Sequence, residues 1–528
     1  MLRRLLLLLS VIFGAISVLS FRNYNYGLTT TILWLLSCIL WFSYIFYGQK
    51  SAGINKNDLL LSLVVFAVGL TVGLYKINTL PIGVWTDEIE ISMAGKGALD
   101  SMLTTNNFIS FTPQATGHPG LTIIFTGIGI DLFGKTILGL RFPSVFFGAL
   151  SALAFYFLLK EKFSRQTSFW VSLIFSVSYW HLALSRLAYE ASFYWFFEIL
   201  CLIFLVRFLK TKSIHFLGLI GLFAGLGIYT YLAFRILAIG FIAVILLVSL
   251  IEKIGFKKML LGLLVFLISL GAVITPIFIY SRQWPDQIYQ RSNDVSILNP
   301  KFNSVNRIQM IADNSLKTLL MFGFKGDPNY RHNPAQSSEM DVISFLLLLA
   351  GVYFIFIKKE YSLITALAII GAISAGNGVF TYEPPYITEP HSLRTLGFLP
   401  VVYFLAAYSF NYLSGRKNKV IPVAVSLIII FLNLYTYFSV KPSAALADAT
   451  QYNFTQTALL ASQNCNKDLV ISSNLINQTH YDFFAKNCHY STFNASDISK
   501  SAFYLTNIND SQILINKGFT NFISIGTR

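Results

Sequence analysis

The run Trp85-Thr86-Asp87-Glu88-Ile89-Glu90 sets adjacent carboxylates beside an aromatic ring and a hydroxyl. Such a pair can divide one task. Asp87 takes a proton from a nucleophilic hydroxyl while Glu88 orients it, shifts its pKa or shares a cation with it. A solvated acidic turn fits the same spacing. A second polar run, Gly326-Asp327-Pro328-Asn329-Tyr330-Arg331-His332-Asn333, mixes turn formers with a guanidinium and an imidazole. It reads equally as a ligand-facing loop and as an exposed turn. The third run is Glu389-Pro390-His391-Ser392-Leu393-Arg394. There Arg394 can grip a phosphate through two hydrogen bonds or snorkel as an interfacial anchor. His118 stands directly before Pro119, and a lone histidine in that setting caps or packs more often than it catalyses.

Four cations, Arg141, Arg186, Arg235 and Arg394, fall at the ends of apolar runs, with Glu190 close after Arg186. An anionic head group at one membrane depth calls for such a set, and pairing with local carboxylates or lipid phosphates accounts for it as well. Glu198 lies inside an apolar run, so it must be protonated, paired or facing a wet cavity. Structural pairing is the favoured reading.

The elements that must position these groups follow from composition. Of 528 residues, 55% are hydrophobic and 12% charged, and mean hydropathy is +0.62. Soluble domains carry about 25% charged residues, so the chain reads as a polytopic membrane protein. About 13 apolar runs are long enough to approach a hydrocarbon core of about 30 Å, and they begin near Leu5, Leu28, Leu59, Phe142, Phe169, Ser192, Phe216, Ile236, Met259, Val342, Leu363, Leu396 and Val420. The net charge of +15 gathers between them, at Arg3/Arg4, Lys50/Lys56, Lys160/Lys162/Arg165, Arg207/Lys210/Lys212, Lys253/Lys257/Lys258, Lys358/Lys359 and Arg416/Lys417/Lys419. That pattern marks cytoplasmic connections and removes nucleic acid as a partner.

The charge bias stays in phase only if Leu121 to Phe133 does not span, so this run reads as an outer interfacial or re-entrant segment. The first run, behind Arg3 and Arg4, reads as a retained anchor rather than a cleaved signal. The N-terminus is then cytoplasmic, and residues 76–141, 281–341 and the tail from Lys441 lie outside. Three regions result: residues 1–57 with the N-terminal helices, 58–440 with the chemistry, and a soluble α/β domain at 441–528. β-like runs at Leu469 to Ser472, Phe503 to Leu505 and Phe522 to Ile525 carry the last assignment. Asn453, Asn477, Asn494 and Asn509 open glycosylation sequons there, a weak sign of an outside location. Of four cysteines, Cys38 and Cys201 lie in apolar runs, and only Cys465 and Cys488 of the tail are placed to form a disulfide.

Glycines 127, 129, 225 and 227 lack a β-α-β context, and no phosphate-binding loop, zinc-protease or serine-hydrolase motif occurs. An anabolic enzyme working on the outer face has no nucleotide supply, so it needs a substrate activated on a lipid.

Val84-Trp85-Thr86-Asp87-Glu88, followed by Gly117-His118-Pro119, Leu140-Arg141-Phe142-Pro143-Ser144 and Ser185-Arg186, resembles the glycosyltransferase family 39 and protein-mannosyltransferase-like superfamily. Lipid A aminoarabinose transferases belong to the same superfamily. The Gly326-Asp327 to Asn333 and His391-Ser392-Leu393-Arg394 runs look like later elements of its bacterial and archaeal members, so the resemblance covers residues 55 to 440. It implies a GT-C fold and transfer of a sugar from a polyprenyl-phosphate donor, with inversion, to a lipid, glycan or protein acceptor. By residue, it implies Asp87 as base, Glu88 in acceptor or cation binding, and Arg141 at the donor phosphate or in the architecture of the site. His118, Arg186, Glu190, Arg235, Asp327, Arg331, His332, His391 and Arg394 follow as substrate-binding candidates. A divalent cation stays open, with Asp87 and Glu88 as its candidate ligands. No MIR-type domain is recognisable, which favours a prokaryotic plasma-membrane protein over a eukaryotic protein mannosyltransferase.

Three other readings compete: a lipid-linked sugar flippase, an inactive scaffold displaying the C-terminal domain, and a glycan ligase or polymerase using diphosphate-linked oligosaccharides. A flippase would use the same cations and Glu198, and calls for charges at the bilayer midplane and an internal repeat. No repeat is visible, and most polar residues gather at one face.

Overall fold

The computed structural model describes residues 1–48, 53–105, 120–302, 306–382, 389–415, 420–496, 498–499, 501–517 and 519–525. His118 and the Arg416/Lys417/Lys419 cluster lie outside the described residues.

Backbone polar groups find no water in lipid, so an apolar run that crosses a membrane must close its hydrogen bonds on itself as a helix. Among the described residues nine helices are long and apolar enough to do so, among them Leu2–Arg22, Ile137–Lys160, Ala191–Thr211, Phe256–Gln283 and Val420–Phe438. The molecule is a polytopic helical membrane protein. Each of the 13 apolar runs is helical, and the shorter ones include His215–Ile228, Val342–Ile357 and Phe398–Ser414. Ile137–Lys160 and Ala191–Thr211 form the centre of the bundle and Leu2–Arg22 lies at its edge.

One run departs from a continuous helix. It is divided into Arg165–Val177 and Tyr179–Ser185. The backbone N–H of Tyr179 donates to Asn433 Oδ1 at 2.7 Å, so an amide from another helix accepts the donor that the break frees. Gly120–Phe133, read as non-spanning, has 14 residues and reaches about 21 Å at 1.5 Å per residue, short of the hydrocarbon core. It packs against Thr86–Thr105 with no room for a side chain between them. A Cβ on Gly95 would stand 1.9 Å from Ile123 O, and one on Gly127 2.4 Å from the Gly95 carbonyl carbon.

Ion pairs tie one end of the bundle together. Asp58 meets Arg165, Glu161 meets Arg207 and Lys210, Lys162 meets Glu360, and Lys212 meets Glu252. All of these residues lie in or beside the connections whose charge marks them as cytoplasmic. The Asp87, Asp327 and His391 runs occupy the alternate connections.

After Val420–Phe438 the chain enters a small α/β unit. Strands β1 (Leu469–Ile471), β2 (Tyr490–Thr492), β3 (Phe503–Thr506) and β4 (Phe522–Ser524) form a parallel sheet in the order β2-β1-β3-β4. Three of them are the β-like runs of the sequence. β2 is not legible there because its residues are half-buried or exposed, without the apolar alternation that marks a strand. Helices Tyr452–Gln463 and Gln478–Phe484 accompany the sheet.

Cys465 and Cys488 form the disulfide, and Cys38 and Cys201 are free. Denatured protein is therefore expected to show two titratable thiols before reduction and four after. Replacing Cys465 and Cys488 by serine should destabilise the tail by about 3 kcal/mol, given a loop of this length, seen as faster proteolysis within residues 441–528.

Candidate active site

Glu88 occupies the third position of the helix Thr86–Thr105, from which a carboxylate can reach back to the backbone at the helix start. It does so, accepting the Trp85 N–H at 3.2 Å. Its main partner is Arg141. Nε and one terminal nitrogen of the guanidinium each donate to a separate Glu88 oxygen at 3.0 Å, the two-pronged geometry that suits a planar cation. The remaining donors of Arg141 go to the carbonyls of Ile77, Pro81 and Gly83, which uses all five N–H groups. The Ala188 N–H completes Glu88 at 2.9 Å. Glu88 and Arg141 are 1% and 0% exposed.

With all five donors engaged, Arg141 fixes the loop before Asp87, which accords with the architectural one of its two readings. Glu88 accepts two hydrogen bonds at each oxygen, which hold it to the turn.

Arg186 and Arg235 also spend donors on backbone carbonyls. Arg186 donates to the carbonyls of Val72, Gly73, Tyr75 and Leu80 at 2.7–2.8 Å and so closes the end of the helix Lys56–Leu74, where unsatisfied carbonyls favour a cation. Its guanidinium lies 5.2 Å from the rings of Tyr437 and Phe438. Arg235 donates to Ile288 O at 2.9 Å and stands outside the cavity wall described next. A helix-end position alone does not separate such braces from ligand-binding cations. Glu198 also departs from expectation: it is 0% exposed, and among the described residues neither of its carboxylate oxygens has a hydrogen bond, which removes the structural pairing.

Asp87 faces the other way. It is half-buried and borders a cavity of about 930 Å³ whose polar wall also holds Glu90, Glu190, Arg291, Arg331, His332, His391 and Arg394. The Tyr189 hydroxyl donates to Asp87 Oδ2 at 3.2 Å. Burial, with the Asp87 charge adding to it, holds that phenol well above its ordinary pKa, so it stays a donor. Tyr189 stacks on Trp85 at 5.7 Å, and the Arg331 guanidinium lies 3.6 Å from the centre of the same indole, a cation on an aromatic face. Nε of Arg331 donates to Asn329 Oδ1. Its terminal nitrogens make no hydrogen bond among the described residues. The rest of the wall is largely apolar, with Leu232, Ile236, Ile369 and Ile373. Ile236 is 53% exposed, so this wall runs out onto the surface of the bundle.

Two loops deliver the cations. Asp327 Oδ1 accepts the Asn329 N–H at 2.7 Å, and Oδ2 accepts the N–H and hydroxyl of Ser392 at 2.9 Å each. One buried carboxylate thereby joins the loop before Val342–Ile357 to the loop before Phe398–Ser414. Asn333 ties the first loop further, donating to the carbonyls of Asp327 and Ser337 at 2.8 Å. The sequence reading did not assign Trp85, Tyr189, Glu90 or Arg291 to the site. The first three lay in runs already singled out. Arg291 sits on helix Pro285–Val295, whose start the N1 proline could have disclosed.

The tail domain holds the same turn. Gln451 Oε1 accepts both the N–H and the hydroxyl of Thr86, at 2.7 and 2.6 Å. Thr455 Oγ1 accepts the Val84 N–H at 2.9 Å, and His480 Nε2 donates to Val84 O at 2.7 Å. Gly83 adopts φ +69°, and a Cβ there would lie 2.5 Å from Thr450 O. The backbone of the turn and that of the tail are therefore in contact.

Residues 117–279 match the family model described as dolichyl-phosphate-mannose-protein mannosyltransferase. Over that stretch the family model meets the resemblance read from the sequence motifs. The matched stretch contains Arg141, Arg186, Glu190 and Arg235; Asp87 precedes it and Asp327 follows it. No curated protein sequence matches the chain. Among solved structures it is similar to the archaeal oligosaccharyltransferase AglB from Archaeoglobus fulgidus, in complex with an inhibitory peptide and a dolichol-phosphate, at 12% identity and TM-score 0.47 over 82% of this chain. The chain spans 64% of that protein's length. It is also similar to ArnT from Cupriavidus metallidurans bound to undecaprenyl phosphate, at 12% identity and TM-score 0.44, covering 88% of this chain and 89% of the other. Arabinosyltransferase EmbB from Mycobacterium smegmatis matches at 11% identity and TM-score 0.46, over 80% of this chain and 42% of its own.

Proposed function

We propose that the protein is an inverting glycosyltransferase that moves a sugar from a polyprenyl-phosphate donor to an acceptor nucleophile at the extracytoplasmic face of the membrane. One observation carries this reading: Asp87, Arg331 and Arg394 border a single cavity whose remaining wall is largely apolar and reaches the surface of the bundle at Ile236. A carboxylate supplies a base, guanidinium groups suit a phosphate, and an exposed apolar wall suits a prenyl chain. The gathering of the positive connections and their ion pairs at the other end of the bundle supports an extracytoplasmic site.

In the mechanism, an acceptor hydroxyl or amine sits against Asp87, which Tyr189 holds in place. Asp87 takes the proton as the nucleophile bonds to C1 of the sugar. The bond from C1 to the phosphate oxygen breaks on the opposite face, so the anomeric centre inverts. The electron pair leaves with the polyprenyl phosphate, and Arg331 and Arg394 stabilise the charge that develops there. The acceptor's own chemistry decides whether a lipid, a glycan or a protein receives the sugar.

The direct test incubates purified protein with a panel of polyprenyl-phosphate sugars and measures released polyprenyl phosphate with and without acceptors. Release that depends on donor and acceptor supports the reading; no release across the panel, from protein shown to be folded, argues against it. Replacing Arg331 by alanine should raise KM for the donor about 10–100-fold, the value of one or two hydrogen bonds to a charged group. Arg394→Ala should act in the same direction. Donor KM unchanged in both variants would remove the guanidinium groups from the donor site.

A further inference from the structure

Asp327, His332 and His391 meet at the wall of the cavity, and their ligand-capable atoms all lie within 4.8 Å of one another. Asp327 is 1% exposed, His332 3% and His391 4%. Nδ1 of His332 stands 3.2 Å from Asp327 Oδ2, and Nδ1 of His391 stands 3.9 Å from the same oxygen. Ligand atoms around a tetrahedral ion with bonds of 2.0–2.1 Å are separated by about 3.3 Å. The first distance already fits, and a small turn of the His391 ring brings in the second. Such a turn breaks no hydrogen bond at that atom, because among the described residues His391 Nδ1 has no hydrogen-bond partner although it is buried.

The surroundings suit an ion as well. Hydrogen bonds to Ser392 and Asn329 fix the Asp327 carboxylate, as partners behind a metal-binding carboxylate do. Both histidines border the cavity, so an ion between them keeps an open side toward it.

We propose that Asp327, His332 and His391 bind one divalent transition-metal ion of the zinc type, with its open position facing the cavity. Two imidazoles and one carboxylate favour such an ion over magnesium or calcium, which take oxygen ligands. Upon binding, His332 changes tautomer: the proton on Nδ1 is given up as Nε2 takes one, so the ring stays neutral and the Nδ1 lone pair faces the metal. The site stands whether or not the cavity transfers sugars, since its test reads metal and not product.

The experiment uses full-length protein in detergent, freed of any histidine tag, stripped with chelator and titrated with Zn²⁺ by calorimetry. Co²⁺ in place of Zn²⁺ adds a visible absorption signature of four- or five-coordinate nitrogen and oxygen ligation. One equivalent is expected to bind, with at least a tenfold loss of affinity and loss of the Co²⁺ bands in His391→Ala. That variant breaks no hydrogen bond of the His391 ring, so it should fold. Asp327→Asn should behave likewise where it folds, while Arg331→Ala should retain the bands. Absence of stoichiometric binding, or binding as tight in His391→Ala as in the parent, overturns the proposal.

Discussion

Asp87→Asn is expected to lower sugar transfer by about 10²–10⁴-fold, the usual contribution of a positioned base, with the protein still folded and inserted. The substitution is nearly isosteric. The amide retains an oxygen to accept the Tyr189 hydroxyl, so the contact now made at Asp87 Oδ2 survives and only the capacity to take a proton is lost. Asp87 takes no part in the buried pairing that secures the turn, which belongs to Glu88 and Arg141. The measurement is release of polyprenyl phosphate beside a thermal melt in the same detergent. A variant that melts like the parent and transfers at full rate would remove Asp87 from the reaction.

Arg141→Ala should fail in a different way. It strands the Glu88 carboxylate and three backbone carbonyls in a site buried from solvent. Breaking a buried ion pair by removing one partner costs about 3–5 kcal/mol, a large part of the roughly 5–15 kcal/mol that keeps a protein folded. The loss should appear as a lower melting temperature and poor yield, not as a selective rise in donor KM. Arg141→Lys keeps a charge but cannot reproduce five donors in a plane, so it should recover only part of the stability. A selective donor effect in a variant as stable as the parent would return Arg141 to the phosphate.

The contrast between these two positions shows what the sequence could disclose. Apolar length disclosed the helices, since a lipid-facing run has one way to satisfy its backbone, and the tail runs that became β1, β3 and β4 each lead with apolar residues, buried in β1 and most of β3 and half-buried in β4. The Trp85 to Glu90 run was visible as chemistry. Its division of labour was not, because consecutive residues at a helix start point to different surroundings, and only the approach of Arg141 and Ala188 shows that Glu88 is committed. The arginines were hidden for the same reason. Arg186 at the end of one helix meets four carbonyls from the end of another, whereas Arg331 lies over an indole more than 200 positions away in the chain. No local pattern distinguishes the two. Asp327, His332 and His391 were each singled out separately, but their convergence depends on two loops meeting across a helical pair.

The grip of Gln451, Thr455 and His480 on the turn ahead of Asp87 has a consequence for the order of biosynthesis. A ribosome reaches Gln451 365 residues after Thr86, roughly 20–70 s later at about 5–20 residues per second. Throughout that interval the turn ahead of Asp87 lacks the support of the tail. A chain halted after Phe438 would hold the nine long apolar helices of the described residues and still lack the hydrogen bonds that Gln451, Thr455 and His480 bring to that turn.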